Sequence, residues 1–218
     1  MHSRPKTADP RPAPRLYLVT PPVTDAADFA ARLAEALAVT DIAALLLRLA
    51  DADERTLINR IKALAPVVQT KEVALILDNH PDLVARAGAD GAHLYGIDDF
   101  SAALPSLKPD RIAGAGGLTT RHDAMVAAET GADYVMFGEP DGDGNRPSFA
   151  AIEERVAWWA EVFESPCVGF AARFEEIAPL AAAGADFVAL GDWLWARKNV
   201  PDVLAHAAKE LSLPETIG

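Results

Sequence analysis

Short runs of apolar residues alternate along the chain with longer segments in which apolar residues recur every three or four positions. An uninterrupted apolar run is typical of a strand buried on both faces of a parallel sheet, and the spaced pattern is typical of an amphipathic helix. The runs predict strands over 15–20, 42–48, 72–77, 91–95, 111–115, 133–137, 166–170 and 186–190. The spaced segments predict a helix after each strand, over 25–38, 53–65, 80–87, 98–107, 119–129, 148–163, 173–183 and 199–211.

A Gly-Ala-Asp tripeptide followed by an apolar run occurs three times, starting at Gly88, Gly131 and Gly184. The starts are 43 and 53 residues apart, which is the spacing of a repeated structural unit. We interpret the glycine as the left-handed residue that ends a helix, the aspartate as part of a polar turn, and the apolar run as the next strand. The repeat therefore indicates the helix-to-strand half of a βαβ unit.

Eight strands alternating with eight helices predict a (β/α)8 barrel, a TIM barrel, formed by a single α/β domain over 15–212. Flanking segments over 1–14 and 213–218 lack periodic apolar residues and are predicted to be flexible tails. The alternative is a doubly wound open sheet, which usually carries a glycine-rich turn after its first strand. Here the first strand runs into Thr20, Pro21 and Pro22 with no glycine, which favours the barrel.

Composition and charge narrow the expected partners and compartment. The chain has 218 residues, a formal net charge of −12 and an isoelectric point near 4.8, which argues against nucleic acid and anionic membrane. Its single cysteine, Cys167, excludes a disulfide framework and a cysteine metal site. The longest apolar run, over 42–47, is far below the roughly 20 residues of a transmembrane helix. With no apolar signal region at the N-terminus, we expect a cytoplasmic protein.

Active sites of such barrels lie at the carboxyl ends of the strands, so residues at those ends are the candidates for chemistry. Arg48 ends the second predicted strand, where a charged side chain is costly unless it meets an anion, and its guanidinium suits a phosphate. The alternative is a structural ion pair between Arg48 and Asp51 or Asp53.

Carboxylates follow the third and fourth predicted strands. Asp78 and Asp98 could together hold one Mg²⁺ that also binds substrate phosphate oxygens. The alternative is that each aspartate caps the helix that follows it.

The later loops offer further candidates. The loop after the sixth strand resembles the beginning of a calcium-binding loop, but the required glycine and glutamate are absent at its sixth and twelfth positions, so we reject calcium. Arg146 is the anion-binding candidate of this loop, and Arg173 is that of the next. His93 lies inside the fourth strand and is expected to be a hydrogen-bonded core residue rather than a ligand.

Three segments, 16–20 (LYLVT), 77–83 (LDNHPDL) and 88–94 (GADGAHL), resemble the thiamine phosphate synthase and thiazole tautomerase superfamily. The resemblance covers roughly 15–195 and implies a (β/α)8 barrel. For the synthase branch it implies a Mg²⁺-dependent transferase that joins hydroxymethylpyrimidine pyrophosphate to thiazole phosphate and releases pyrophosphate. It further implies that Arg48, Asn79 and Arg146 would bind substrate phosphate and that Asp78 and Asp98 would hold the metal. Arg173 is a further phosphate-binding candidate that could partly compensate for groups the chain lacks.

The chain departs from the synthase pattern at several phosphate-binding positions. Ala50 stands where the synthases have a lysine, and Gly116 stands where they have a serine. Ala171 and Ala172 replace a glycine pair, and Asp192 replaces a serine after the last strand. A carboxylate at the start of a helix binds the free N–H groups itself and repels an anion.

Two functions therefore stay open from the sequence. One is an active synthase that acts on a phosphorylated small molecule. The other is a diverged paralogue without synthase activity, either a thiazole tautomerase-like enzyme or a barrel that binds a small ligand. Because the family is commonly oligomeric and the chain carries four tryptophans, we also predict a homodimer.

Overall fold

The computed structural model describes residues 12–212, so the predicted tails lie outside the described residues except for positions 12–14. Within this range the chain forms a closed barrel of parallel strands in sequential order. The strands are β1 (Arg15–Val19), β2 (Ile42–Leu47), β3 (Ala74–Asp78), β4 (Gly91–Tyr95), β5 (Ile112–Gly116), β6 (Tyr134–Phe137), β7 (Cys167–Ala171) and β8 (Phe187–Leu190). Because β1 pairs with β8, the sheet closes, which confirms the barrel and excludes the open sheet.

Helices cover the outside of the barrel. They are α1 (Ala26–Leu37), α2 (Glu54–Gln69), α3 (Val84–Ala87), α4 (Ile97–Leu107), α5 (Arg121–Thr130), α6 (Phe149–Val162), α7 (Ile177–Ala182), α8 (Asp192–Trp195) and α9 (Val200–Ser212). Single turns of 3-10 helix, Pro81–Leu83 and Phe174–Glu176, precede α3 and α7. None of the helices within 12–212 is both long and apolar enough to cross a membrane.

The predicted strands are all present, with bounds that differ by at most two residues. The predicted end of α2 is wrong: the helix continues through Pro66 to Gln69, because the fully buried Val68 extends its apolar face past the proline. The sequence analysis also missed α8, since four residues are too few to show a helical period.

Two cores result from the alternation of side chains along each strand. Leu16 and Leu18 of β1 point outward and pack against the helices, whereas Tyr17 and Val19 point into the barrel. The inward-facing residues of several strands fill the interior, so the barrel encloses a packed core.

The three Gly-Ala-Asp repeats lie at the amino ends of the strands, as predicted. Each glycine has positive φ and ends a helix, and each aspartate does more than make the turn polar. Asp90, Asp133 and Asp186 accept hydrogen bonds from backbone N–H groups of β3, β5 and β7, at 2.7, 2.7 and 2.8 Å. Each repeat therefore fastens a helix-to-strand turn to the strand beside it, on the face of the barrel opposite the expected active site.

Candidate active site

A cavity of about 930 Å³ lies at the carboxyl ends of the strands. Its wall is built by the ends of β3, β4 and β6, by the loops that follow β1, β2, β4, β5 and β6, and by Arg155 of α6. The loop after β6 contributes most of one side, including Glu139, Asp141 and Arg146. This is the position expected for the active site of a (β/α)8 barrel.

Arg48 follows β2 and reaches the cavity with 18% of its side chain exposed. Its Nε lies 3.4 Å from Oδ2 of Asp78, and its Nη1 donates to Oδ1 of Asp192 at 3.2 Å. Burial alone would lower the pKa of the guanidinium, but Tyr95, Asp78 and Asp192 together raise it above its ordinary value. Arg48 is therefore a fixed cation, held by carboxylates from β3 and α8.

The local alternatives for these residues do not match the contacts. Arg48 forms ion pairs with Asp78 and Asp192, and among the described residues it forms none with Asp51 or with Asp53, which caps α2. Asp78 is the last residue of β3, and Asp98 lies exposed in the first turn of α4, whose N-cap is Gly96. Neither aspartate caps a helix.

Asp78 has a carboxylate oxygen that could bind a divalent cation. Its Oδ1 is buried and has no hydrogen-bond partner among the described residues. Asp98 does not line the cavity, and no group of three His, Cys, Asp or Glu side chains within the described chain could hold a metal ion. Mg²⁺ commonly uses one or two carboxylates together with water and substrate phosphates. Asp78 therefore fits Mg²⁺ as a single protein ligand.

Arg146 and Arg173 converge on one buried carboxylate. Arg146 donates through Nη1 to Oε2 of Glu176 at 2.9 Å, and Nε of Arg173 lies 3.2 Å from Oε1. The backbone N–H of Ala172, just after β7, also donates to Oε2, at 2.8 Å. An internal carboxylate thus already occupies the donors that an anionic ligand would use after β7. Sequence reasoning missed Glu176, because it belongs to a 3-10 turn and reaches across to the neighbouring loop.

The predicted site residues separate into two groups. Arg48, Asp78 and Arg146 line the cavity. Asn79, Asp98 and Arg173 are exposed and do not line it.

A buried chain of polar side chains runs from the barrel interior to the cavity. The Tyr17 and Tyr134 hydroxyls are 2.8 Å apart, and the Tyr134 hydroxyl is 3.0 Å from Nδ1 of His93. Nε2 of His93 faces Oε2 of Glu139 at 3.5 Å. Burial raises the pKa of both tyrosines well above the ordinary value, so they remain neutral hydroxyls. His93 is the hydrogen-bonded core residue expected from the sequence.

Glu139 is the cavity residue that sequence reasoning missed. It follows Gly138 at the end of β6, its side chain is 4% exposed, and its Oε1 accepts from the backbone N–H of Gly117. A Cβ atom at Gly116 would lie 2.6 Å from Cδ of Glu139, and closer still to Oε1 and to Nε2 of His93. The absence of a side chain at Gly116 therefore gives the Glu139 carboxylate its space. The available sequence signal was a glycine at the end of β5, Gly116, together with a glutamate just after β6, Glu139.

Comparisons of the sequence with a family model and with known proteins point to the same family. The family model described as thiamine monophosphate synthase matches residues 16–193. The chain is 43% identical over 184 residues to a thiamine-phosphate synthase of Rhodospirillum centenum, covering 83% of this chain and 89% of that protein. It is 36% identical over 214 residues to a thiamine-phosphate synthase of Hyphomonas neptunium, covering 94% and 96% of the two chains.

A solved structure agrees at the level of the fold. Thiamine phosphate pyrophosphorylase from Pyrococcus furiosus superposes with a TM-score of 0.76 at 21% identity, covering 96% of this chain and all of that one. At this identity the match shows the shared barrel.

Proposed function

The chain belongs to the thiamine monophosphate synthase family, and on that premise we propose that it joins hydroxymethylpyrimidine pyrophosphate to thiazole phosphate and releases pyrophosphate. The observation that carries the proposal is the meeting of Arg48 and Asp78 in a cavity at the strand ends. These are residues that the family resemblance assigns to pyrophosphate and to Mg²⁺. The relatives reported above carry the synthase name and give no support to a diverged, non-synthase function.

The reaction exchanges one bond for another at a single carbon atom. The bond between the pyrimidine methylene carbon and the pyrophosphate oxygen breaks, and its electron pair leaves with pyrophosphate. The lone pair of the thiazole nitrogen then forms the new C–N bond, which leaves a positive thiazolium ring. Positive charge on the pyrimidine and negative charge on pyrophosphate grow together, so the site must stabilise both.

We assign the pyrophosphate end to the Arg48 side of the cavity. Arg48 is held in place by two carboxylates, so it offers an oriented cation that needs little rearrangement to bind an anion. Arg146 also lines the cavity, from the loop after β6 on the other side of the barrel, and its Nη1 is held by Glu176. When bound at Asp78, Mg²⁺ would supply further positive charge to the leaving pyrophosphate.

The proposal also covers the location, the oligomeric state and the ligands of the protein. We infer a cytoplasmic homodimer that acts on phosphorylated small molecules. In support of the dimer, Trp158 and Trp193 are only partly buried within one chain, whereas Trp159 and Trp195 are buried in the core.

The test is a turnover assay with the full chain, both substrates and Mg²⁺, in which thiamine phosphate and pyrophosphate are measured together. We expect equal amounts of both products, with kcat/KM lowered at least about a hundredfold in Arg48→Met, because a charge-assisted contact to the pyrophosphate is lost. The control is Arg55→Met, which removes an exposed arginine of α2 away from the cavity and should keep wild-type kinetics. Absence of both products from folded wild-type protein would contradict the proposed reaction.

A further inference from the structure

We propose that Glu139 is the specificity-determining acceptor for the amino group of the pyrimidine ring. The identity of this ring rests on the proposed function. The inference itself concerns a planar heterocycle that presents an N–H donor to the floor of the cavity.

One oxygen of the Glu139 carboxylate is engaged and the other is not. Oε1 accepts from the backbone N–H of Gly117, which fixes the orientation of the group. Oε2 is buried and has no hydrogen-bond partner among the described residues, although the residue lines the cavity. Nε2 of His93 lies 3.5 Å from Oε2, too far for a good hydrogen bond, so a ligand that brings an N–H group would supply the donor that this buried oxygen lacks.

The polar chain behind Glu139 favours a ligand donor over a ligand acceptor. Both hydroxyls can act as donors, and the direction in which Tyr17 donates to Tyr134 and Tyr134 donates to Nδ1 of His93 would place the imidazole hydrogen on Nε2, facing the carboxylate. A carboxylate has about four lone-pair directions, so it can accept from a ligand as well. The cavity side of Glu139 is then an acceptor surface.

Two other lining residues suit a flat ring. Tyr95 and Met136 line the same cavity, and aromatic and thioether side chains pack well against planar heterocycles. A carboxylate in the plane of such a ring accepts from an exocyclic amino group. An exocyclic carbonyl oxygen in the same position would be repelled, because it and the carboxylate are both acceptors. The same carboxylate opposes the positive charge that develops on the ring as pyrophosphate departs.

The experiment compares two pyrimidines that differ at one substituent. Wild-type protein is titrated calorimetrically with 4-amino-5-hydroxymethyl-2-methylpyrimidine and with its 4-oxo counterpart. We expect the amino compound to bind at least tenfold more tightly. In Glu139→Gln the preference should fall to within about threefold or reverse, because the amide can donate to the carbonyl oxygen.

A matched control removes the same charge from the same loop. Asp143→Asn changes an exposed carboxylate outside the cavity lining and should keep the amino preference. Glu139→Asp is the second variant in case the glutamine variant fails to fold: its shorter side chain should weaken the preference without abolishing it.

Three results would overturn the inference: no binding of either pyrimidine to the wild type, equal affinity for both, or an unchanged preference in the folded Glu139 variants. Failure of the proposed function gives a different pattern, in which the amino preference depends on Glu139 but the two substrates yield no thiamine phosphate. Turnover without any amino preference would refute the role of Glu139 alone.

Discussion

Substitution of Gly116 by alanine tests how the bottom of the cavity is built. The added methyl group would lie 2.6 Å from Cδ of Glu139, and both Glu139 and the ring of His93 are almost fully buried. The carboxylate must therefore move and give up its hydrogen bond from Gly117. The change perturbs one interior contact and leaves the barrel topology untouched.

The change in the free energy of unfolding combines two losses and one gain. Overpacking a core lowers it by about 1–3 kcal/mol, and losing a charge-assisted hydrogen bond lowers it by about 1.5–3 kcal/mol. Replacing glycine by alanine raises it by about 0.4–1 kcal/mol, because the unfolded chain has less conformational entropy to lose. We expect the free energy of unfolding to fall by at least about 1.5 kcal/mol, or about 3–6 °C in Tm for a chain of this length.

The assay is urea denaturation, followed by circular dichroism, of the wild type, the Gly116→Ala and Gly142→Ala variants, and the Glu139→Ala variant with and without Gly116→Ala. Gly142→Ala is the control, since a Cβ atom there meets nothing within 4 Å and the residue has no positive φ. Gly116→Ala in a Glu139→Ala background should cost at least about 1 kcal/mol less than in the wild type, because the colliding carboxylate is gone. Equal costs in both backgrounds, or a Gly116→Ala variant as stable as the Gly142 control, would refute the reasoning.

Other predictions concern a turn at the amino ends of the strands, the ion pair between Arg146 and Glu176, and stability in acid. Asp133→Ala should lower the free energy of unfolding by about 1.5–3 kcal/mol in urea, because a backbone N–H of β5 loses its acceptor. Arg146→Met should cost about 3–5 kcal/mol by leaving the buried Glu176 carboxylate short of donors, and adding Glu176→Gln should recover part of it; no recovery would refute the pairing. The hydrogen bond from Arg15 lowers the pKa of Asp41 from its ordinary 3.8, so this pair stabilises the fold above pH 3.8 and is lost as pH falls through the lowered value. Arg15→Met should therefore reduce stability at pH 7 by no more than about 1 kcal/mol, with the difference from wild type vanishing in acid.

The fold could be predicted from the sequence because its signals are local. Strands buried on both faces appear as uninterrupted apolar runs, and the three Gly-Ala-Asp turns mark where helices end and strands begin. The errors fall where tertiary burial overrides a local signal, as at Pro66 inside α2. They also fall where an element is too short to show a period, as in α8.

The site could be predicted for residues whose place at a strand end or in the following loop is visible locally, as for Arg48, Asp78 and Arg146. Arg48 stands out because it ends an apolar strand, and the structure places it on the cavity wall. Glu139 and Glu176 gain their meaning from neighbours far away in sequence: Gly116 leaves room for the first, and Arg146 pairs with the second. Such relations require the barrel to be closed before they become visible.

A crystal structure of the full chain with hydroxymethylpyrimidine pyrophosphate and Mg²⁺, in the absence of the thiazole, tests the central claim most directly. The account predicts the pyrophosphate on the Arg48 side of the cavity and the pyrimidine amino nitrogen within about 3.2 Å of Oε2 of Glu139. Binding outside the strand ends, or a ring turned with its amino group away from Glu139, would contradict it.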